Sequence, residues 1–224
     1  MAKKMLVAFA ATMVMVAYGA GGAHATLTDH GSPAWWTDAG SHIAGTEDIY
    51  GEGRITINSN AGVVISCDWS PTGTAENGLT MGEGSITGLT FSACSSNAPG
   101  CFISWTANNL PWATTLSSDE SEIFLGVEDF EFRMTFTGAT CVLGNGTQVT
   151  LSIDHLDLTV PEAQESGVEC PDVMWHPTGA GGSTGFTVDF AGSGTLIGPG
   201  TVTATLSGTM VICGDDVVDL GVTD

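Results

Sequence analysis

Apolar and polar residues alternate with a period of two over most of this chain. Phe130, Phe132, Met134 and Phe136 alternate with Asp129, Glu131, Arg133 and Thr135, as in a strand with one buried and one wet face. Val202, Ala204, Leu206, Met210 and Ile212 alternate in the same way with Thr201, Thr203, Thr205, Ser207 and Thr209. The β-branched threonines suit a pleated surface. Val63, Ile65, Cys67 and Trp69 share one phase, which points Cys67 into the core. Ile55 and Ile57, Leu89 with Phe91 and Ala93, and Phe186 with Val188 and Phe190 mark further strands. Between Gln148 and Val160 the phase slips. Val149, Leu151 and Ile153 are odd-numbered, whereas Leu156, Leu158 and Val160 are even. That slip predicts a bulge or bend near Asp154-His155.

Turn signals separate the runs. Asn77-Gly78 and Asn145-Gly146 favour tight turns, and the prolines fall near strand ends or in loops. No window carries a convincing helical stripe. The pattern predicts an all-β chain: an antiparallel β-sandwich or an irregular β-barrel. Residues 26–50 read as a loop-rich N-terminal arm, and 51–224 as a single β domain.

The start of the chain has a different character. Lys3 and Lys4 precede an uncharged apolar run from Met5 to Tyr18, and Ala23-His24-Ala25 follows. This reads as a signal peptide over residues 1–25, too short in its apolar part to span a bilayer comfortably. Six cysteines follow it: Cys67, Cys94, Cys101, Cys141, Cys170 and Cys213. An even count in an exported chain implies disulfides, with the pairing open. No CxxC pair is present, which weakens zinc-ribbon and thioredoxin-type readings. Cys67 and Cys101 run in phase with core residues, while Cys94 and Cys213 run out of phase. Some bridges are therefore expected on the outer face or in loops. The expected location is secreted, extracellular or in the cell envelope.

Charge narrows the partners. Asp and Glu total 25 against four basic residues, for a formal charge of −21. Such a surface repels nucleic acid and anionic membranes. Three acidic clusters invite a calcium reading: Asp119-Glu120-Ser121-Glu122, Glu128-Asp129-x-Glu131 and Asp215-Asp216. None follows a known calcium-loop pattern. In a regular strand Glu128 and Asp129 would also point to opposite faces. Solvated surface charge is the simpler account. No cofactor is expected, and calcium is the one ion left to test.

Candidate chemistry is sparse. His30 and His42 lie with Asp29 and Asp38 around Trp35-Trp36, but their spacing matches no ligand pattern. Asp154-His155-x-Asp157 sits at the predicted bend, where such residues more often satisfy backbone groups. There is no G-x-S-x-G elbow, H-E-x-x-H or P-loop. Of the tryptophans, Trp69 and Trp105 are in phase with core residues. Trp35, Trp36 and Trp112 lie in loop-like surroundings and are the candidate ligand-binding residues, since exposed aromatics can stack on sugars or grip apolar molecules.

The order of elements also resembles a known family. Val64-Ile65-Ser66-Cys67 is followed by Gly84-Ser85-Ile86-Thr87-Gly88-Leu89-Thr90-Phe91 ahead of Cys94. Then come Asn109-Leu110-Pro111-Trp112, an isolated Cys141, and a closing Gly200-Thr201-Val202-Thr203-Ala204-Thr205-Leu206-Ser207-Gly208. This resembles the bacterial secreted PraB-like proteins, named as activators of alkane oxidation. The resemblance covers roughly residues 54–213; the extra cysteines and the acidic insertions depart from it. It implies a non-enzymatic extracellular or envelope role and carries over no catalytic residue. The leading expectation is thus a secreted or envelope-associated β protein with a binding, surface or structural role, including self-association or an apolar or carbohydrate ligand. Two alternatives stand beside it. One is a secreted carbohydrate hydrolase using paired carboxylates; the other is a calcium-stabilised adhesion module.

Overall fold

The structure, a computed structural model, describes residues 33–37, 41–79, 81–119, 122–160, 168–169, 184–214 and 220–223. The expected signal segment, His30 and the acidic pair Asp215-Asp216 lie outside them. The strands in chain order are β1 (Ala34–Thr37), β2 (Ser41–His42), β3 (Thr46–Ser59), β4 (Val64–Asn77), β5 (Gly82–Ser96), β6 (Phe102–Ala107) and β7 (Trp112–Asp119). They continue with β8 (Glu122–Thr137), β9 (Thr147–Val160), β10 (Val168–Glu169), β11 (Thr184–Ile197), β12 (Thr201–Gly214) and β13 (Leu220–Thr223).

Eight of these close into an antiparallel barrel. β3, β4, β5, β7, β8, β9, β11 and β12 each pair with the next in this order. β12 returns to β3 along a ladder from Ala204 opposite Ser59 to Gly214 opposite Ile49. Of the two architectures open at the level of sequence, the chain takes the barrel. Alternation then assigns every side chain to the inside or the outside. Ile55, Ile57, Trp69, Phe130, Phe132 and Leu206 are inside and essentially inaccessible. Thr201, Thr203, Thr205 and Ser207 are outside and exposed. An apolar interior with a polar wall is the inverse of a membrane-spanning barrel. At Gly208 the fit is close: an added Cβ would strike the Arg54 carbonyl and the Phe190 ring.

Two of the ring's irregularities involve β8 and its neighbours. The first is the predicted slip in β9, which is matched in β8. Asp129 adopts φ +51°, and Glu128 and Asp129 are both exposed, as are Asp154 and His155 opposite them. The strands keep one register through the break, so both turn their faces over at the same level. This corrects the expectation that Glu128 and Asp129 diverge. The second is a seam. β5 pairs with β7 only over Glu83–Ile86, and β6 continues the line of β7 along β8. Between them, Asn109 at φ +55° and a cis Leu110–Pro111 bond interrupt the strand. The mouthward half of β5 therefore faces β6 without a ladder, and Phe91 stacks on Trp105 across the gap, 4.4 Å between centroids.

Two disulfides staple this region. Cys67–Cys94 joins β4 to β5, and Cys101–Cys141 joins the β5–β6 connection to the β8–β9 connection. The second joins two loops, although Cys101 reads as in phase with core residues. Cys94 does not point outward. Ala93, at φ +46°, adds a residue opposite Cys67, where the register shifts. The bulge turns Cys94 inward against the core. Cys213 is also disulfide-bonded and fully buried, packing with Tyr50 in a small second cluster. Cys170 lies outside the described residues. These disulfides suit an oxidising environment.

One end of the barrel is sealed. β1, β2 and β13 form a three-stranded sheet, so the arm expected to be loop-rich contains strands. Trp35 is completely buried. Its backbone N–H donates to Asn77 Oδ1 at 2.8 Å, and its indole N–H donates to the Glu83 carbonyl at 3.0 Å. Its ring packs on Phe186.

Removing the loop bridge tests the staple. The Cys101→Ala/Cys141→Ala variant should fold to the same barrel but lose roughly 2–4 kcal/mol in denaturant unfolding, the usual cost for a loop of this length. Unchanged stability would show that the ladders alone hold that end.

Candidate functional site

The other end is open. Four connections surround it: 60–63 between β3 and β4, 97–101 between β5 and β6, 138–146 between β8 and β9, and 198–200 between β11 and β12. Beneath them is a cavity of about 390 Å³, within the range of small-molecule sites. Ile57, Ile65, Met134, Val149, Leu196 and Val202 form its walls, and Val63, Val142 and Leu143 hang over it from the connections. The Trp69 ring, packed on Phe130 and on Phe190, fills the barrel's waist below.

The polar side chains on this wall are already engaged. The Ser59 hydroxyl accepts from the Val63 N–H at 3.0 Å, and the Thr147 hydroxyl donates to the Leu143 carbonyl at 2.6 Å. Both hold loops in place. No carboxylate, imidazole or cation lines the cavity. A guest here would gain from leaving water and would meet little polar recognition. The dimensions and lining suit a compact, uncharged apolar molecule.

The residues expected to bind a ligand lie elsewhere. Trp35 and Trp112 are buried, not exposed as their surroundings implied, and this corrects their placement. Trp35 plugs the sealed end. Trp112 donates its indole N–H to the Asn108 carbonyl at 2.9 Å and packs on Phe130, 4.6 Å between centroids. Loop-like neighbours misled in both cases because the covering rings, Phe186 for Trp35 and Phe130 for Trp112, come from other strands. Trp36 lies on β1; its side chain is outside the described residues. The cavity itself was not anticipated. Its lining comes from several separate segments, each reading only as an ordinary core phase.

The bend at Asp154-His155 carries a compact ionisable cluster on the outer wall. His155 Nδ1 meets Glu128 Oε1 and its Nε2 meets Asp157 Oδ1, both at 2.7 Å. Carboxylates only accept, so both ring nitrogens carry hydrogen and the imidazolium is the favoured form. The ring lies over Gly126, where a Cβ would come within 2.8 Å of His155 Cε1. While the ring is protonated, neither nitrogen has a lone pair for a metal or for proton abstraction. Among the described residues no group of three potential ligands could hold a metal ion. Glu131 is engaged separately, accepting from Asn108 Nδ2 at 2.8 Å. The cluster reads as a clamp across the break between β8 and β9.

No known protein family, curated protein or solved structure matches the chain.

The clamp makes stability depend on pH. Hydrogen bonds to Glu128, then to Asp157, raise the His155 pKa above its ordinary value. A raised native pKa stabilises fully below the unfolded value, about 6.5, and the contribution is lost as pH rises through the native value. His155 is about half exposed, so the effect is that of a surface network. Wild type should exceed His155→Asn by roughly 0.5–1 kcal/mol in mild acid and by much less in alkali. Unfolding followed across that range checks it; a constant difference would show that His155 acts by packing alone.

Proposed function

We propose that this is a secreted or envelope-associated, non-enzymatic β-barrel that binds a small, uncharged apolar molecule in its open mouth. The observation that carries this reading is the cavity: it is open to solvent, apolar, and its polar side chains are already occupied by the surrounding loops. Location outside the cytosol is supported by the leader-like N-terminal segment and by the disulfides. The resemblance to PraB-like proteins agrees with an exported, non-catalytic role at the boundary with apolar material. A paired-carboxylate hydrolase finds no support in this cavity, whose lining holds no acid. The carbohydrate reading relied on exposed tryptophans, and the two described ones are internal.

A neutral environment-sensitive dye such as N-phenyl-1-naphthylamine tests the site. Wild type should bind it saturably at one site. Val202→Asp places a carboxylate in the wall, and desolvating it should weaken binding at least roughly tenfold. Val202→Leu should keep binding. An absence of saturable binding, or equal affinity in Val202→Asp, would overturn the proposal.

A further inference from the structure

The rim of the mouth differs from the rest of the surface in two ways. First, it collects exposed large hydrophobics. Phe102 is 75 % exposed, Val142 65 % and Ile197 53 %, and all three lie at the mouth ends of their strands or in the loops there. Second, it carries no charge. The four connections around the mouth contain no Asp, Glu, Lys or Arg, in a chain of net charge −21. The carboxylate nearest to this end along its own strand is Asp68, and Arg54 neutralises it at 3.0 Å. The acids are concentrated toward the sealed end instead, where Glu47, Asp48, Glu76, Glu83 and Glu122 lie. An acidic chain has thus kept one end free of charge and edged it with hydrophobic side chains.

We propose that the mouth end docks on the surface of a neutral lipid bilayer, with Phe102, Val142 and Ile197 entering the boundary between headgroups and acyl chains. Two observations select this occupant. The rim has no cations with which to attract anionic headgroups, and the acidic body is repelled by them. A second copy placed mouth to mouth would bring two strongly negative bodies onto one axis. Docking of this kind stands whether or not the cavity is filled, and it would open the mouth directly onto a source of apolar molecules.

Flotation with vesicles tests it, using the protein recovered after export. Wild type should float with phosphatidylcholine vesicles, and less so when phosphatidylglycerol is mixed in at low salt. Phe102→Ser/Ile197→Ser, which leaves the cavity lining intact, should lose partitioning by about tenfold or more while binding the naphthylamine dye as wild type does. Both proteins share the same N-terminal segment, so their difference reads the rim alone. The docking proposal fails if wild type does not float with phosphatidylcholine, or if the double variant floats equally. It also fails if light scattering shows a dimer that the double variant dissolves in the absence of any vesicle binding. Dye binding lost in Val202→Asp with flotation unchanged would separate the cavity from the rim.

Discussion

The ladder between β12 and β3 is the constraint on which the rest of the structure depends. It joins the last barrel strand to the first and removes the edges that an open eight-stranded sheet would present. Once the ring closes, strand alternation stops being a local preference and becomes a partition between inside and outside. The interior width is then set by strand number, and eight strands leave room for little more than side chains. Trp69, Phe130, Phe132 and Phe190 fill that width at the waist. Only the two ends are left to differ.

They differ in opposite senses. At one end a buried tryptophan, held by Asn77 and the Glu83 carbonyl, completes the core. At the other the ring ends in short glycine-containing connections, and nothing fills the space beneath them. Charge follows the same axis, with carboxylates toward the sealed end and none at the rim. The seam between β5 and β6 lies in the open half, closed by stacked rings and bracketed by the two disulfides. In the open half, therefore, side chains and covalent staples stand in where the backbone ladder is missing.

Much of this was legible in the pattern of residues, and the exceptions share a cause. Strand phases placed Cys67, Trp69, Phe130 and Met210 correctly because alternation is a local property. The phase slip located the break at Asp154-His155. Its counterpart at Asp129 escaped notice because Asp129 to Thr135 alternate cleanly, and only the residues before them reveal the change of face. Cys94 was misassigned because a single left-handed residue, Ala93, reversed the phase after Phe91. Trp35 and Trp112 read as exposed because the rings that cover them, Phe186 and Phe130, lie on other strands; Asn77, which also holds Trp35, is 42 residues away. The cavity left no mark at all. A residue facing a void has the same periodicity as one facing a packed core, so Val149 and Val202 look no different from Leu151 and Leu206.

The central claim is that this barrel has one working end. A crystal structure of the protein pressurised with xenon would test it most directly, since xenon settles in accessible apolar cavities. The account predicts density in the mouth between Ile57, Met134, Val149 and Val202 and none at the end sealed by Trp35. Density confined to other sites, or a mouth collapsed onto Leu143, would contradict it.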